Sequence, residues 1–202
     1  MGKKPQERIR PSYEIRIISR GSELKKIGAR AFMDFINPFV DEKAYLSIQK
    51  KATLKEEGKW LKKKAGDIDS GDEILLLLFI NGKLAGNCDA RRGGLANQKH
   101  NAIFGLAVSK EWRGCGFGEL LLRKGIAVAK KKLRPHRMWI EHDSENRIAA
   151  RLYKKVGFVE VARLRHYTTH YGKYTDNCIM EYSPLFAKRK GAPLPAGKVG
   201  GK

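Results

Sequence analysis

Apolar and polar positions alternate over residues 13–19 (YEIRIIS), the period of a half-buried strand. A helical pattern follows over residues 22–35, and the segment around Pro38 reads as irregular. In ATLKEEGKWLKKK, Thr53 followed three residues later by Glu56 is a capping box and predicts a helix start. Residues 72–90 (DEILLLLFINGKLAGNCDA) read as two strands joined by Asn81-Gly82, the dipeptide of tight hairpins. NAIFGLAVS (101–109) predicts a strand, GELLLRKGIAVAKKKL (118–133) a helix, and HRMWIEH (136–142) another strand. NRIAARLYKKVG (146–157) predicts a helix closed by Gly157. FVEVARLRHY (158–167) and YTDNCIMEYS (174–183) predict a final hairpin. The order implies an α/β domain: antiparallel hairpins first, then a strand-helix-strand unit whose strands run parallel.

Composition sets limits on this picture. A chain of 202 residues, 42% hydrophobic, suffices for one core, and we expect a basic N-terminal segment (1–12), one domain (13–186) and a basic tail (187–202). The tail AKRKGAPLPAGKVGGK has nothing to bury and is expected to be disordered. No apolar run is long enough to span a bilayer, and the first residues lead into no signal-peptide core, so no membrane partner and a cytoplasmic location are expected. The three cysteines, Cys88, Cys115 and Cys178, indicate neither a disulfide framework nor a zinc ribbon. The histidines His100, His136, His142, His166 and His170 show no zinc-ligand spacing, so no metal site is expected. Net charge is +21; residues 1–10 carry +3 and residues 187–202 carry +5, leaving +13 in the body. Such a field attracts RNA and phosphate-rich molecules, though a lysine-rich face is also the ordinary form of a solvated surface.

The candidate chemistry begins at VSKEWRGCGFGELLL (108–122), where Gly114, Gly116 and Gly118 sit between a strand and a helix. A glycine turn leading into a helix N-terminus presents bare N–H groups and the positive end of the helix dipole, a cradle for pyrophosphate. A Walker A loop would need Lys-Ser/Thr after the last glycine, and the segment has none. A dinucleotide fingerprint would need a small residue where Glu119 stands.

The segment resembles the acetyl-CoA loop of the GNAT family of N-acetyltransferases, Gln/Arg-x-x-Gly-x-Gly/Ala, matched by Arg113, Gly116 and Gly118 after Leu106, Ala107 and Val108. WIEHDSENRIAARLYKKVGF carries the family's second pattern, an Asn, small residues, Leu-Tyr and Gly-Phe, and here the chain looks most like the RimI-type ribosomal-protein N-terminal acetyltransferases. The resemblance covers roughly residues 13–185 and is weakest before Asp72. It implies a GNAT fold: a mixed, mostly antiparallel sheet with splayed parallel central strands flanked by helices.

It also implies roles. The pantetheine arm of acetyl-CoA would pair with the backbone of Leu106, Ala107 and Val108, where an N–H can stabilise a developing oxyanion. The pyrophosphate would lie on Gly114, Cys115, Gly116, Phe117, Gly118 and Glu119, with Arg113 a further cofactor-binding residue at the head of the loop. Asn146 stands seven residues before Tyr153, two helical turns, so the two should share a face, with Ala149 and Ala150 leaving room for the thioester. Glu141 is the expected base, and Tyr153 the expected acid, giving its proton to the leaving thiolate. His142 should face opposite to Glu141. Tyr167, Tyr171 and Tyr174 could wall the amine pocket, or be an exposed aromatic hairpin. Cys115 needs no catalytic role if transfer is direct.

The expected activity is direct acetyl transfer from acetyl-CoA to a primary amine, with a protein N-terminus or lysine, for example on a ribosomal protein, as the preferred acceptor. A polyamine or aminoglycoside is the alternative, and it would need an acidic pocket against the positive field. A non-catalytic RNA-binding module on the same fold is the third reading. RNA or ribosome association through the basic tails is expected in the preferred reading; oligomeric state stays open, a dimer included.

Overall fold

The computed structural model describes residues 12–183, so the basic segment up to Pro11 and the basic tail lie outside the described residues. Seven strands form one mixed sheet in the order β1-β2-β3-β4-β5-β7-β6. They are β1 (Tyr13–Ile18), β2 (Glu73–Ile80), β3 (Lys83–Arg92), β4 (Asn101–Val108), β5 (Arg137–Asp143), β6 (Phe158–His170) and β7 (Lys173–Tyr182). All neighbours are antiparallel except β4 and β5, which are parallel as the strand-helix-strand order requires. Helices α1 (Gly21–Ile27), α2 (Ala29–Asp41) and α3 (Leu54–Asp69) precede β2; α4 (Phe117–Lys132) joins β4 to β5, and α5 (Arg147–Val156) leads to β6.

The run ILLLLFI is apolar at every position because β2 is covered on both faces. Leu75, Leu77 and Phe79 pack with Leu24, Phe32, Leu61 and Ile68 of α1–α3. Ile74, Leu76, Leu78 and Ile80 belong to the second core, with Leu121, Leu122 and Ile126 of α4 and Val156 of α5. Asn81 (φ 50°) and Gly82 (φ 78°) make the left-handed two-residue turn that their sequence predicts. The capping box is present, with Thr53 Oγ1 accepting from the Glu56 N–H and the Glu56 carboxylate accepting from the Thr53 N–H.

Three boundaries differ from the sequence reading. The first helical stretch is broken at Gly28, whose φ of 82° and ψ of 152° stop α1 and start α2. The helix then runs through Pro38 to Asp41 instead of becoming irregular there. A proline inside a helix costs about 3 kcal/mol. Burial of Phe32, Phe35 and Phe39 offsets it, at roughly 1.5–3 kcal/mol for each large side chain. Asn37 adds a two-way bond to the Ala52 backbone, donating from Nδ2 at 3.1 Å and accepting at Oδ1 at 2.8 Å. The last hairpin is longer than predicted, turning at Tyr171 (φ 48°) and Gly172 (φ 86°). Among the described residues no helix is long and apolar enough to cross a membrane.

Candidate active site

Strands β4 and β5 pair only from Asn101↔Arg137 to Phe104↔Ile140; beyond Phe104, β4 continues to Val108 beside β3 alone. The edge of β4 that faces β5 therefore carries unpaired backbone groups in the middle of the sheet. Ser109 N–H donates to the Ala85 carbonyl of β3, and the Ala107 carbonyl lies 3.0 Å from where a Cβ on Gly86 would stand. Backbone polar groups alternate in direction along a strand, so Leu106 and Val108 turn theirs toward the gap while Ala107 turns its own toward β3. Of the three residues expected to meet the pantetheine, Leu106 and Val108 present backbone to the gap; Ala107 does not, because β3 occupies it.

Arg113 acts on this gap from one end. Its Nε donates to the Val108 carbonyl at 2.8 Å, and its guanidinium makes a two-pronged contact with Glu42 at the end of α2, 3.0 Å for Nη1 to Oε2. Arg113, expected among the cofactor-binding residues, thus braces β4 against the end of α2 with its side chain, and Leu106 N–H, Leu106 C=O and Val108 N–H remain for a ligand.

The glycine loop follows. Gly114 (φ 75°) and Gly116 (φ 87°) both need the left-handed region, and a Cβ on either would meet nothing within 4 Å. Both open outward. The first backbone bond into α4 is Leu120 N–H to the Gly116 carbonyl, and among the described residues the N–H groups of Gly114, Cys115, Gly116, Phe117, Gly118 and Glu119 have no protein acceptor. Gly118 is bare for another reason: its Cβ would stand 3.1 Å from Leu152 of α5, so this glycine lets the two helices approach. Glu119, a carboxylate in an anion cradle, is turned aside by Lys155 (2.6 Å) and Arg123 (3.0 Å), contacts that hold its carboxyl below the ordinary value. Cys115 is exposed, while Cys88 and Cys178 are buried. Gly116→Val should weaken acetyl-CoA binding at least ~10-fold, about 1.4 kcal/mol, by calorimetry. Gly116→Asn tolerates the left-handed backbone yet still fills the mouth. Loss in both variants identifies blocking; loss in Val alone identifies backbone strain and sinks the cradle.

Helix α5 places Tyr153 against β5, in the core on the α4 side of the sheet. The residue is 6% exposed, with its ring 6.2 Å from Phe158 and 5.9 Å from His142. Among the described residues its hydroxyl has no hydrogen-bond partner, and the sealed and unpaired side-chain polar atoms are only Asn101 Oδ1 and His142 Nε2, so the hydroxyl opens onto accessible space. Burial, with Cys88 adding to it, pushes the phenol well above its ordinary value. Asn146 is not on the helix face predicted with Tyr153: it is the N-cap, accepting at Oδ1 from the Ala149 N–H at 3.1 Å, and only its NH2 remains for a ligand. His142 is buried on the α5 face, opposite Glu141 as alternation demands, with Nδ1 donating to the Asp143 carbonyl at 2.7 Å.

Glu141 lies on the other face of the sheet, exposed, with Oε2 accepting from Asn177 Nδ2 at 2.9 Å. Asp143 shares this face and accepts from the Glu145 N–H at 2.8 Å. The segment between α2 and α3 closes over it against the last hairpin. Tyr171 N–H donates to Gln49 Oε1 at 2.9 Å, Tyr171 OH to the Val40 carbonyl at 3.0 Å, and Tyr45 stacks on His170 at 4.4 Å. Of the three tyrosines proposed as a wall, only Tyr171 is part of this closure; Tyr167 and Tyr174 are 64% and 67% exposed. Tyr45 and Gln49 come from a segment with no periodic signal, which is why the sequence did not reveal them. Among the described residues no group of His, Cys, Asp and Glu could hold a metal ion.

Residues 41–158 match the acetyltransferase (GNAT) family. An N-alpha-acetyltransferase of Sulfurisphaera tokodaii is 35% identical over 69 residues, 34% of this chain and 41% of that protein. The L-amino acid N-acetyltransferase AaaT of Escherichia coli is 28% identical over 101 residues, 50% of this chain and 62% of that protein. The chain thus spans less than two thirds of the length of these relatives. A crystal structure of a GNAT-family acetyltransferase from Streptococcus pneumoniae superposes with a TM-score of 0.70 at 25% identity, covering 84% of this chain and 98% of that one.

Proposed function

The chain belongs to the GNAT family of acetyltransferases, and from that premise we propose that it transfers an acetyl group directly from acetyl-CoA to a primary amine, that of a protein N-terminus or lysine. The observation that carries the reading is the gap between β4 and β5, open to an outward-facing cradle on one side and to Glu141 on the other. Acetyl-CoA supplies a thioester carbonyl; everything else is the work of this chain. The free N–H groups of residues 114–119 bind the pyrophosphate, and those of Leu106 and Val108 align the arm and meet the carbonyl oxygen as it gains charge.

Glu141 takes the proton of the amine, directly or through water, as the new N–C bond forms. The C–S bond breaks and the sulfur leaves toward Tyr153. A phenol raised by burial gives up its proton reluctantly, so Tyr153 acts first as a hydrogen-bond donor to the developing thiolate, a change from the full proton transfer expected for an unshifted tyrosine.

A small cationic amine is the second reading, favoured by the carboxylates of Asp89, Glu141 and Asp143 on the acceptor face and by the amino-acid acetyltransferase among the relatives. Incubation with labelled acetyl-CoA and separate pools of ribosomal proteins, peptides, amino acids, polyamines and aminoglycosides tests both. Label in a protein or peptide pool supports the first reading; label only in a small-molecule pool overturns it. Association with RNA through the basic segments would appear as a salt-dependent interaction that is lost with residues 187–202.

A further inference from the structure

Asp89 stands beside the acceptor's path without a role in the scheme above. On β3 it pairs with Gly105 of β4, one step past the last β4–β5 pair and level with Glu141 of β5. Cys88 and Ile140 point into the α4 core, so Asp89 and Glu141 both rise from the opposite face. Paired strands are about 4.8 Å apart, and β4 and β5 have already parted at this level, so the two backbones stand more than about 10 Å from each other. Gly105 lies between them, and a Cβ there would stand 2.7 Å from Asp89 Oδ1. One carboxylate oxygen therefore overhangs the bare floor of a trough that has a second carboxylate on its far wall.

The two walls are differently held. Lys64 of α3 lies 3.5 Å from Asp89 Oδ2 and 2.5 Å from Glu73 Oε1, with 11% of its side chain exposed. Lys64 is closer to Glu73, a residue of β2 whose carboxyl burial pushes up to about 7. Asp89 is thus anchored through Oδ2 while Oδ1 faces the trough, where its contact is Asn87 Nδ2 at 3.4 Å. Glu141 has an amide partner, Asn177, and among the described residues no lysine. Lys64 sits between two carboxylates and closer to Glu73, so it offsets the charge of Asp89 only in part, and Asp89 Oδ1 keeps negative charge toward the trough.

We infer that Asp89 is the specificity-determining residue that binds the acceptor as an ammonium ion over Gly105, leaving Glu141 to remove the proton. The inference rests on the acetyl-transfer reading and assigns the acceptor to cationic amines. It places charge recognition and proton removal on opposite walls of one trough.

L-lysinamide, which offers an α-amine and an ε-amine and carries no carboxylate, is the probe. With Asp89→Asn the KM for lysinamide should rise at least tenfold at pH 7, with kcat within about threefold and acetyl-CoA affinity unchanged. At pH 10 the penalty on acetylation of the α-amine should shrink to under threefold, because that amine, with an ordinary value near 8, is then almost wholly neutral. An unchanged KM, or a penalty equal at pH 7 and pH 10, overturns the inference and leaves the acetyl-transfer reading standing; absence of lysinamide and amine-pool turnover in the wild-type protein overturns that reading itself. A second measurement keeps Asp89 intact. In Glu141→Gln at pH 7, N,N,N-trimethylalaninamide should displace lysinamide at least tenfold more tightly than neutral N-acetylalaninamide. Equal affinities sink Asp89 as the cation contact.

Discussion

Tyr153→Phe should bind acetyl-CoA as tightly as the wild-type protein and turn over roughly 10²-fold more slowly, the usual scale for one positioned proton donor. The substitution removes a hydroxyl that has no hydrogen-bond partner among the described residues, so it leaves none of them unsatisfied, and the ring contacts with Phe158 and His142 are kept. Stability should therefore change little, and the loss should appear in kcat. Its pH profile follows from the direction of the phenol's shift. Burial raises the Tyr153 phenol above its ordinary value near 10, so the donor stays protonated from pH 6 to 10 and the deficit of the variant should be constant across that range. A deficit that vanishes toward pH 10 would mean that the wild-type hydroxyl ionises there, contrary to its environment. Wild-type kcat in the variant removes Tyr153 from the reaction.

The positions that declared themselves in the sequence share a local cause. The glycine loop, the Asn81-Gly82 turn, the Thr53–Glu56 box and the Gly157 cap each need a particular residue type within a few positions of one another, so their pattern survives in one dimension. The continuation of α2 through Pro38 did not, because what offsets the proline is the burial of Phe32, Phe35 and Phe39 and the bond from Asn37 to Ala52, all set by the tertiary packing. Arg113 is the clearest case of a motif residue whose position was legible and whose contact was not. Its partner Glu42 lies far away in the chain, and nothing in RGCGFG distinguishes an arginine that grips phosphate from one that braces a strand. Asp89 was silent for the same reason: Lys64, Glu73, Gly105 and Glu141 surround it only once five separate elements are assembled. Asn146 shows the limit of helical periodicity, since counting two turns back from Tyr153 assumes a helix that has already ended at its cap.

Glu141→Gln separates the base from the acid and reads out the acceptor as well. The change keeps the side chain's shape and its place beside Asn177 while removing the site that takes the proton, so kcat/KM for the amine should fall by roughly 10²-fold at pH 7. Without an internal base the variant can use only amine that is already neutral. Below the acceptor's pKa that fraction rises about tenfold per pH unit, and the deficit should shrink at the same rate until the amine is fully deprotonated. The pH at which the variant's kcat/KM levels off is then the pKa of the acceptor: about 8 for the α-amine of a protein N-terminus, and about 10.4 for a lysine side chain. The two acceptors joined in the proposed function thus give different curves with the same variant. Tyr153→Phe, measured alongside, should show no such recovery, because a leaving thiolate lacks its donor at every pH. A Glu141→Gln deficit that is flat from pH 6 to 10 would mean that the carboxylate positions the acceptor and does not deprotonate it; an absent deficit would leave proton removal to solvent and the rate to proximity alone.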